Sequence, residues 1–422
     1  MDSRCAFAAV RFLGYNASLW RLNLPSRLKT LLLVAITVLV LVLPCMAHPS
    51  DVQAGGERLV LAFYYAWYDQ NTWTSSQVPD LPLAPYVSAN RETIARHVDQ
   101  AQAAGIDALV LNWWGTGNQT EKNLRTLLDV ASEKGLRVAV DFDINSPFMG
   151  GVGSYADNLR HLHSVHAAHG AYLRYQGRPV VFFYNVSRLA VATWRDLRDQ
   201  VDPGRNALWI AEGTDLAYQS VFDGHHLYSV TWPNRIPPSR TLPSWGNRVR
   251  KYNSNQGTAK LWVATVMPGY DDRKIRPVNG FLRTRDGGDY YTQCWQAAIE
   301  SRPHWVIINS FNEWPEGSAI EPSQSYGNLY LDLTREWSAR FKAADFAVQT
   351  KVSPQPKATP EPTPQPEAPA LPAALPEAQW SSNRSMLERR CAYILVDVGG
   401  LLQWVVLCPS DSMPGEPPLF IY

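Results

Sequence analysis

Nothing in this sequence leans toward one sign of charge: 39 Lys and Arg stand against 38 Asp and Glu in 422 residues. So even a balance gives no signal for a nucleic-acid partner or for attraction to an acidic membrane surface. Cysteine is scarce, with five residues, and none falls in the ligand spacings of a zinc site. Gly115-Thr-Gly117 lacks the third glycine of a dinucleotide loop. There is no Gly-x-Ser-x-Gly elbow of the esterase kind, and Asp271-Asp272 lack the looped ligand pattern that calcium needs. These absences leave a chain expected to work without metal or cofactor. The uncharged run from Leu31 to Leu43 has thirteen residues, short of the roughly 20 that cross a bilayer.

What the sequence does have is aromatic surface: sixteen Trp and nineteen Tyr, with an apolar share of 45%. Clusters such as Tyr64-Tyr65-Ala66-Trp67-Tyr68 and Trp113-Trp114 supply flat amphipathic faces that suit sugar rings, though core packing accounts for many of them. The start of the chain carries Arg11, Arg21, Arg27 and Lys29, then the apolar run, then Pro44-Cys45-Met46-Ala47. That is the layout of a secretory signal ending near residue 47 or, if uncleaved, of a signal anchor, and it implies a secreted or cell-surface protein. Pro44 fits a lipoprotein signal at Cys45 poorly.

From residue 59 short apolar runs alternate with longer segments of helical period, the pattern of parallel strands joined by crossover helices. Eight strand candidates follow in order: Leu59 to Ala66, Asp107 to Trp113, Arg137 to Phe142, Pro179 to Asn185, Leu208 to Glu212, His226 to Thr231, Leu261 to Pro268 and Trp305 to Phe311. Helices between them show apolar residues at three and four spacing, as in Ile94, Val98, Ala101 and Ala104, and Gly105 and Gly135 sit where a helix should stop. Near-continuous apolar strands mean burial on both faces, so the expected fold is an α/β (β/α)8 TIM barrel over residues 59–342, with a doubly wound open sheet as its rival.

A Pro-rich segment over residues 352–378 reads as an extended linker. Beyond it, in the tail of residues 380–422, Cys391 to Val398 and Leu401 to Cys408 flank Gly399-Gly400 as a β-hairpin with a two-residue turn. That register sets Cys391 opposite Cys408 at a non-hydrogen-bonded position, where backbones come within about 4.5 Å, and a disulfide is expected in an oxidising compartment. Cys294 reads as a packed apolar residue.

In such a barrel chemistry gathers at the carboxyl ends of the strands. The residues there are Tyr64, Tyr65 and Trp67; Asn112, Trp113 and Trp114; Asp141 and Asp143; Tyr184 and Asn185; Glu212; Tyr228 and Trp232; and Tyr270, Asp271 and Asp272. After the eighth strand come Glu313 and Glu316, three apart, with Pro315 between them breaking regular structure. Two neighbouring carboxylates in an aromatic cleft push each other's pKa apart, which supplies the acid and the base or nucleophile of glycoside hydrolysis from one residue type. An exposed polar turn is the bland reading of that spacing. Glu321 precedes Pro322 and reads as leading out of the site. His161, His163, His166 and His169 invite a metal, but at α-helical spacing they read as a solvated helix face.

The segment Asn312-Glu-Trp-Pro-Glu-Gly-Ser-Ala-Ile-Glu-Pro322 resembles the Glu-Trp-x-Glu-Gly segment of glycoside hydrolase family 99 and its family-99-like relatives. Phe63-Tyr-Tyr-Ala-Trp-Tyr68, Ala104-Gly-Ile-Asp-Ala-Leu-Val-Leu-Asn-Trp-Trp-Gly115, Phe222-Asp-Gly224 and Pro268-Gly-Tyr-Asp-Asp-Arg-Lys-Ile-Arg-Pro277 support it, in order along the barrel. The resemblance implies a retaining endo-acting hydrolase of α-mannosidic or related α-glycosidic bonds in an oligo- or polysaccharide. Glu313 would act as base on the sugar 2-hydroxyl to give a 1,2-anhydro sugar, Glu316 as acid and then base, and Tyr228 would contact the base. Tyr64, Tyr65, Trp67, Trp113, Trp114, Asp141, Tyr184, Glu212, Tyr270 and Asp271 are the expected substrate contacts. The sequence departs from the family at Pro315, where His is common, at Asp141-Phe-Asp143-Ile-Asn145, and in lacking a His-Trp pair between Asp69 and Ser76. The alternative is a carbohydrate-binding protein that keeps the barrel with little turnover; a salt bridge on one carboxylate would favour it, both carboxylates on a common void would favour catalysis.

Overall fold

Eight parallel strands close on themselves in the computed structural model, which describes residues 57–74, 76–232, 236–346, 392–398 and 401–407. They are β1 (Leu59–Tyr64), β2 (Ala108–Trp113), β3 (Arg137–Asp143), β4 (Arg178–Tyr184), β5 (Leu208–Glu212), β6 (Gly224–His226), β7 (Leu261–Val266) and β8 (Trp305–Ile308). Neighbours in sequence are neighbours in the sheet, and β8 pairs with β1 in the register Trp305↔Leu59, so no edge is left open. The closure excludes the open sheet. Between the strands run α1 (Arg91–Ala103), α2 (Gln119–Lys134), α3 (Val152–His161), α4 (Val191–Val201), α5 (Pro238–Gln256) and α6 (Asp289–Glu300), and α7 (Leu329–Ala343) follows β8. A 3-10 turn, Leu216–Ser220, stands in for a helix between β5 and β6.

Local chemistry explains where these elements start and stop. Asn90 and Asn118 accept hydrogen bonds from Thr93 N and Thr120 N, capping α1 and α2, which satisfies amides that have no partner inside the helix. Gly135 ends α2 at φ 79°, a left-handed conformation that costs glycine little.

Strand parity divides the core. Val60, Ala62 and Tyr64 of β1 belong to the large cluster that includes the apolar faces of the helices. Leu59, Leu61, Phe63 and then Tyr65 belong to a second cluster without helix residues, the barrel interior. The same alternation sends Ala139, Phe182, Ile210, Val263 and Ile307 inward, and Val140, Phe183, Ala211, Ala264 and Ile308 outward.

The sixth strand differs from the expectation His226 to Thr231: it begins at Gly224 and ends at His226. A side chain at Gly224 would meet Ile210 Cδ1 at 2.6 Å, so this residue is the close-packed start of the strand, and the chain then leaves the ladder to present Tyr228. The histidines also differ from expectation. After α3 the chain continues as a π-helical turn, Leu162–His166, which brings residues five apart to one side. His161 and His166 therefore converge on Glu121 of α2, at 3.0 and 2.7 Å, and His166 is buried rather than solvated.

The chain divides into two units, Met1–Thr350 and Lys351–Tyr422. In the second, Ala392–Val398 and Leu401–Leu407 pair antiparallel from Val398↔Leu401 to Ala392↔Leu407. The N-terminal run, the Pro-rich linker, Cys391 and Cys408 lie outside the described residues. Among the described residues no helix is long and apolar enough to cross a membrane.

Candidate active site

The parity of the strands decides which side chains reach the mouth of the barrel. Continued past the strand ends, the inward positions are Tyr65, Asn112, Asp141, Tyr184, Glu212, Tyr228 and Asn309. The structure brings these together with Glu313 and Glu316. The hydroxyls of Tyr65 and Tyr228 are 3.0 Å apart, and the ring of Tyr184 lies 4.9 Å from that of Tyr228. Burial first, and then the charge of Glu313 with smaller pushes from Glu316 and Asp141, raise the Tyr65 hydroxyl well above the usual tyrosine range.

Two expected contacts point elsewhere. Tyr64 is fully buried on the outward face, its hydroxyl 3.0 Å from His97 Nδ1, and Trp113 is fully buried with its indole N–H donating to Glu121. Both sit one residue off the inward parity. Asp271 is a partial exception too: Arg273 grips its carboxylate at 2.8 and 2.9 Å, while its amide donates to the carbonyl of Glu316.

The loop after β8 is built to hold two carboxylates still. Ser310 Oγ accepts from Glu313 N at 2.6 Å, Ser318 N donates to Glu313 O, and Gly317 N donates to Trp314 O. Asn312 clamps the end of β1, accepting from Tyr65 N and donating to Tyr65 O at 2.8 and 2.9 Å. Gly317 adopts φ 58°, and a Cβ there would meet Pro79 Cγ at 2.9 Å; only glycine lets the turn carrying Glu316 pass so close.

Glu313 and Glu316 are nearly fully buried. Burial, and then the charge of Glu316, raise Glu313 well above the usual carboxylate range against the opposing pull of Arg276 and a hydrogen bond from Tyr68. Burial also raises Glu316, opposed by Arg276 and Tyr270. Arg276 forks between two carboxylates, reaching Glu316 Oε1 at 2.9 Å and Asp272 Oδ2 at 2.8 Å, with Tyr270 OH at 3.1 Å. Glu316 is thus salt-bridged through one oxygen only. Its Oε2 and that of Glu313 have no hydrogen-bond partner, and neither do Asp141 Oδ1, Asn112 Oδ1 and Asn309 Oδ1. Buried acceptors are normally satisfied; five orphans on the inward side of one barrel mouth mark where a polyhydroxylated ligand would dock. Asp141, raised first by burial and then by Asp143, and Glu212, pushed up to about 7 by burial, complete an acidic, poorly solvated floor.

Aromatic rings flank these acceptors. Trp67 contacts Tyr65 with centroids 4.8 Å apart and stacks on Trp114 at 4.7 Å, which stacks on Phe148 at 5.8 Å. On the Glu316 side Tyr270 stacks on Phe281 at 4.6 Å, and Trp232 lies 5.5 Å from Phe281. A cavity of about 380 Å³ beside that turn is lined by Asp80, Tyr270, Asp271, Trp314 and Tyr326 among others. Neither Arg276 nor Asn312 stands out in the sequence, although both lie inside the segments that resemble family 99. Their roles depend on partners tens or hundreds of residues away. Glu321 is buried, as a site residue would be, but fully engaged: His97 at 2.9 Å, Tyr86 at 2.9 Å and the indole of Trp314 at 3.0 Å.

Comparison with known proteins agrees with this arrangement. The profile described as Glycosyl hydrolase family 99 matches residues 70–343. The chain is 29% identical over 350 residues to the glycoprotein endo-alpha-1,2-mannosidase-like protein of Mus musculus, covering 66% of this chain and 76% of that one. It is 28% identical over 296 residues to the glycoprotein endo-alpha-1,2-mannosidase of the same organism, covering 61% and 63%. Among solved structures, the GH99 endo-alpha-mannosidase of Bacteroides thetaiotaomicron in complex with bis-tris propane superposes with a TM-score of 0.60 at 26% identity, covering 68% of this chain and 98% of that one.

Proposed function

This chain belongs to glycosyl hydrolase family 99 and is an endo-acting glycoside hydrolase with a carbohydrate substrate; from that premise we propose that it cuts internal α-mannosidic or related α-glycosidic bonds with retention of configuration. The observation that carries the reading is the pair of buried carboxylates, Glu313 and Glu316, each with an unpartnered Oε2 at the aromatic mouth of the barrel.

In the reaction as proposed, Glu313 takes the proton of the sugar 2-hydroxyl, the freed O2 closes on C1, and the C1 to leaving-oxygen bond breaks as Glu316 delivers a proton to that oxygen. Water then opens the 1,2-anhydro sugar at C1, giving a proton to Glu316, while Glu313 returns its proton to O2. Two inversions at C1 amount to retention. Arg276 contributes by occupying Glu316 Oε1, which leaves Oε2 as the oxygen able to carry the transferable proton. Burial raises both carboxyls and each disfavours a second charge beside it, so the pair keeps one proton, and the forward reaction starts with that proton on Glu316. Tyr228, hydrogen-bonded to Tyr65, feels the charges of Glu316 and Glu313 and would contact the base. Trp67, Trp114 and Tyr184 offer half-buried aromatic surface for sugar rings.

The test is hydrolysis of a panel of α-mannans and other α-linked polysaccharides by the intact chain, with the product anomer read by NMR. Retained α-products from wild type, and losses of about a hundredfold or more in Glu313→Gln and Glu316→Gln, are expected. The ion pair on Glu316 is what speaks for the alternative, a glycan-binding barrel with little turnover; binding without cleavage, unchanged in both variants, would select it. The N-terminal basic and apolar segments support export from the cytoplasm, and the tail register supports a disulfide between Cys391 and Cys408. Both are checked by the N-terminus and the thiol count of the secreted protein.

A further inference from the structure

A second cluster of buried titratable groups, Glu121, His161 and His166, takes no part in this reaction. We propose that these three side chains bind one divalent transition-metal ion of the zinc type, with water completing the coordination. One ligand atom from each lies within 4.8 Å of the other two. His161 Nε2 lies 3.0 Å from Oε1 of Glu121 and His166 Nε2 2.7 Å from Oε2, each near the spacing of about 3.3 Å that two ligands take around a tetrahedral ion with bonds of about 2.0–2.1 Å, so the carboxylate can meet an ion through either oxygen or both. His161 is partly exposed, its side chain at 28%, so its ring can turn to complete the set and an ion has a way in.

The hydrogen-bond inventory favours an ion over the bare network. Around the two oxygens of Glu121 stand five N–H groups or ring nitrogens: Nε and Nη2 of Arg125, the indole of Trp113, and Nε2 of both histidines. A carboxylate offers roughly four lone-pair sites, so in the metal-free state donors outnumber acceptors. A cation that takes the Nε2 lone pairs of both imidazoles removes two donors at once. Trp113 and Arg125 then remain as outer partners that orient the ligating carboxylate, as such partners commonly do. The guanidinium is the one unfavourable neighbour, but its side chain is 57% exposed and can swing toward solvent. The backbone supports the same reading: the π-helical turn that places residues 161 and 166 on one side departs from regular helix geometry, and such turns are frequent at functional sites.

The experiment is titration of the EDTA-treated full chain with zinc chloride by calorimetry and thermal denaturation, repeated with cobalt(II) for its visible spectrum. One ion per chain, a Tm raised by several degrees at saturation, and release of the ion by excess EDTA are expected. His161→Ala and His166→Ala should each weaken binding by about tenfold or more, comparable to or beyond the loss on removing an outer partner. His169→Ala, whose ring faces Asp129 at 3.5 Å, should leave affinity unchanged. If His166→Ala unfolds the chain, His161→Gln at the partly exposed position carries the same comparison. Absence of saturable uptake, or uptake that His161→Gln and His161→Ala leave intact, overturns the proposal. None of these readouts uses glycan hydrolysis, so the outcome is independent of the proposed function.

Discussion

Glu316 and Glu321 sit five residues apart on one loop and are about equally buried, yet they live opposite lives. Glu321 has hydrogen bonds or ion contacts to His97, Tyr86 and Trp314 and ties the loop to α1 and to the segment that leads into it. Glu316, like Glu313, keeps one oxygen unpartnered at the barrel mouth. A satisfied buried carboxylate holds structure together; an unsatisfied one is held in place by the rest of the fold at a cost in stability, and the ligand collects the difference.

The largest effects expected from this contrast are on turnover. Glu313→Gln and Glu316→Gln should each lower kcat/KM by about a hundredfold or more, roughly 3 kcal/mol of transition-state stabilisation, with Tm unchanged or raised. An aryl glycoside with a good leaving group separates the roles: it needs little protonation, so Glu316→Gln should recover most of its rate while Glu313→Gln should not. Recovery by Glu313→Gln instead would exchange acid and base.

Glu321→Ala should do the reverse. It strands three buried partners, and a loss of about 3–5 kcal/mol is expected, as for breaking a buried ion pair, read by denaturant unfolding. The fraction that remains folded should cleave glycan at near wild-type rate. If Glu321→Ala were stable but inactive, the division of this loop into a structural and a chemical part would be wrong.

That division was only partly legible in the sequence. Eight apolar runs, their helical connectors and the Glu-Trp-x-Glu-Gly segment gave the barrel and placed Glu313 and Glu316, because burial on both strand faces leaves a strong compositional trace. The same burial hid the parity: with apolar residues on both sides, Tyr64 and Trp113 read as well as Tyr65 and Trp114, and only the packing of the helices tells inward from outward. Arg276 was out of reach, since its partner is forty residues on and the short antiparallel pair Tyr270–Asp271 with Leu282–Arg283 that carries it leaves too brief a pattern. So was the π-helical turn at Leu162–His166: an extra residue per turn shifts the face of every histidine after it, and sequence periodicity assumes 3.6.

Arg276 offers a finer way to probe the pair. Its cation favours the ionised form of Glu316, so Arg276→Gln should raise the pKa of Glu316 and move the alkaline limb of the kcat/KM against pH profile upward by about one unit, the size expected for loss of an opposite charge at contact. Arg276→Lys keeps the charge without the fork and should restore most of the limb but not the rate, because Oε1 is no longer fixed. A limb that stays in place in Arg276→Gln would show that Arg276 serves Asp272 and the Tyr270 turn alone.

The smallest effect is the pH dependence of stability, where the two kinds of carboxylate should carry opposite signs. Glu212, raised by burial from 4.5 to about 7, binds its proton more tightly folded than unfolded. Its contribution is therefore fully present below pH 4.5 and lost as the pH rises through 7. Glu121, lowered from 4.5 to about 2, contributes above pH 4.5 and loses that contribution as the pH falls toward 2. Glu212→Gln should flatten the decline in Tm between pH 4.5 and 7, and Glu121→Gln the decline below 4.5, each by on the order of 1 kcal/mol in metal-free protein. If both substitutions flattened the same limb, burial would not be what sets Glu212 apart from the hydrogen-bonded Glu121.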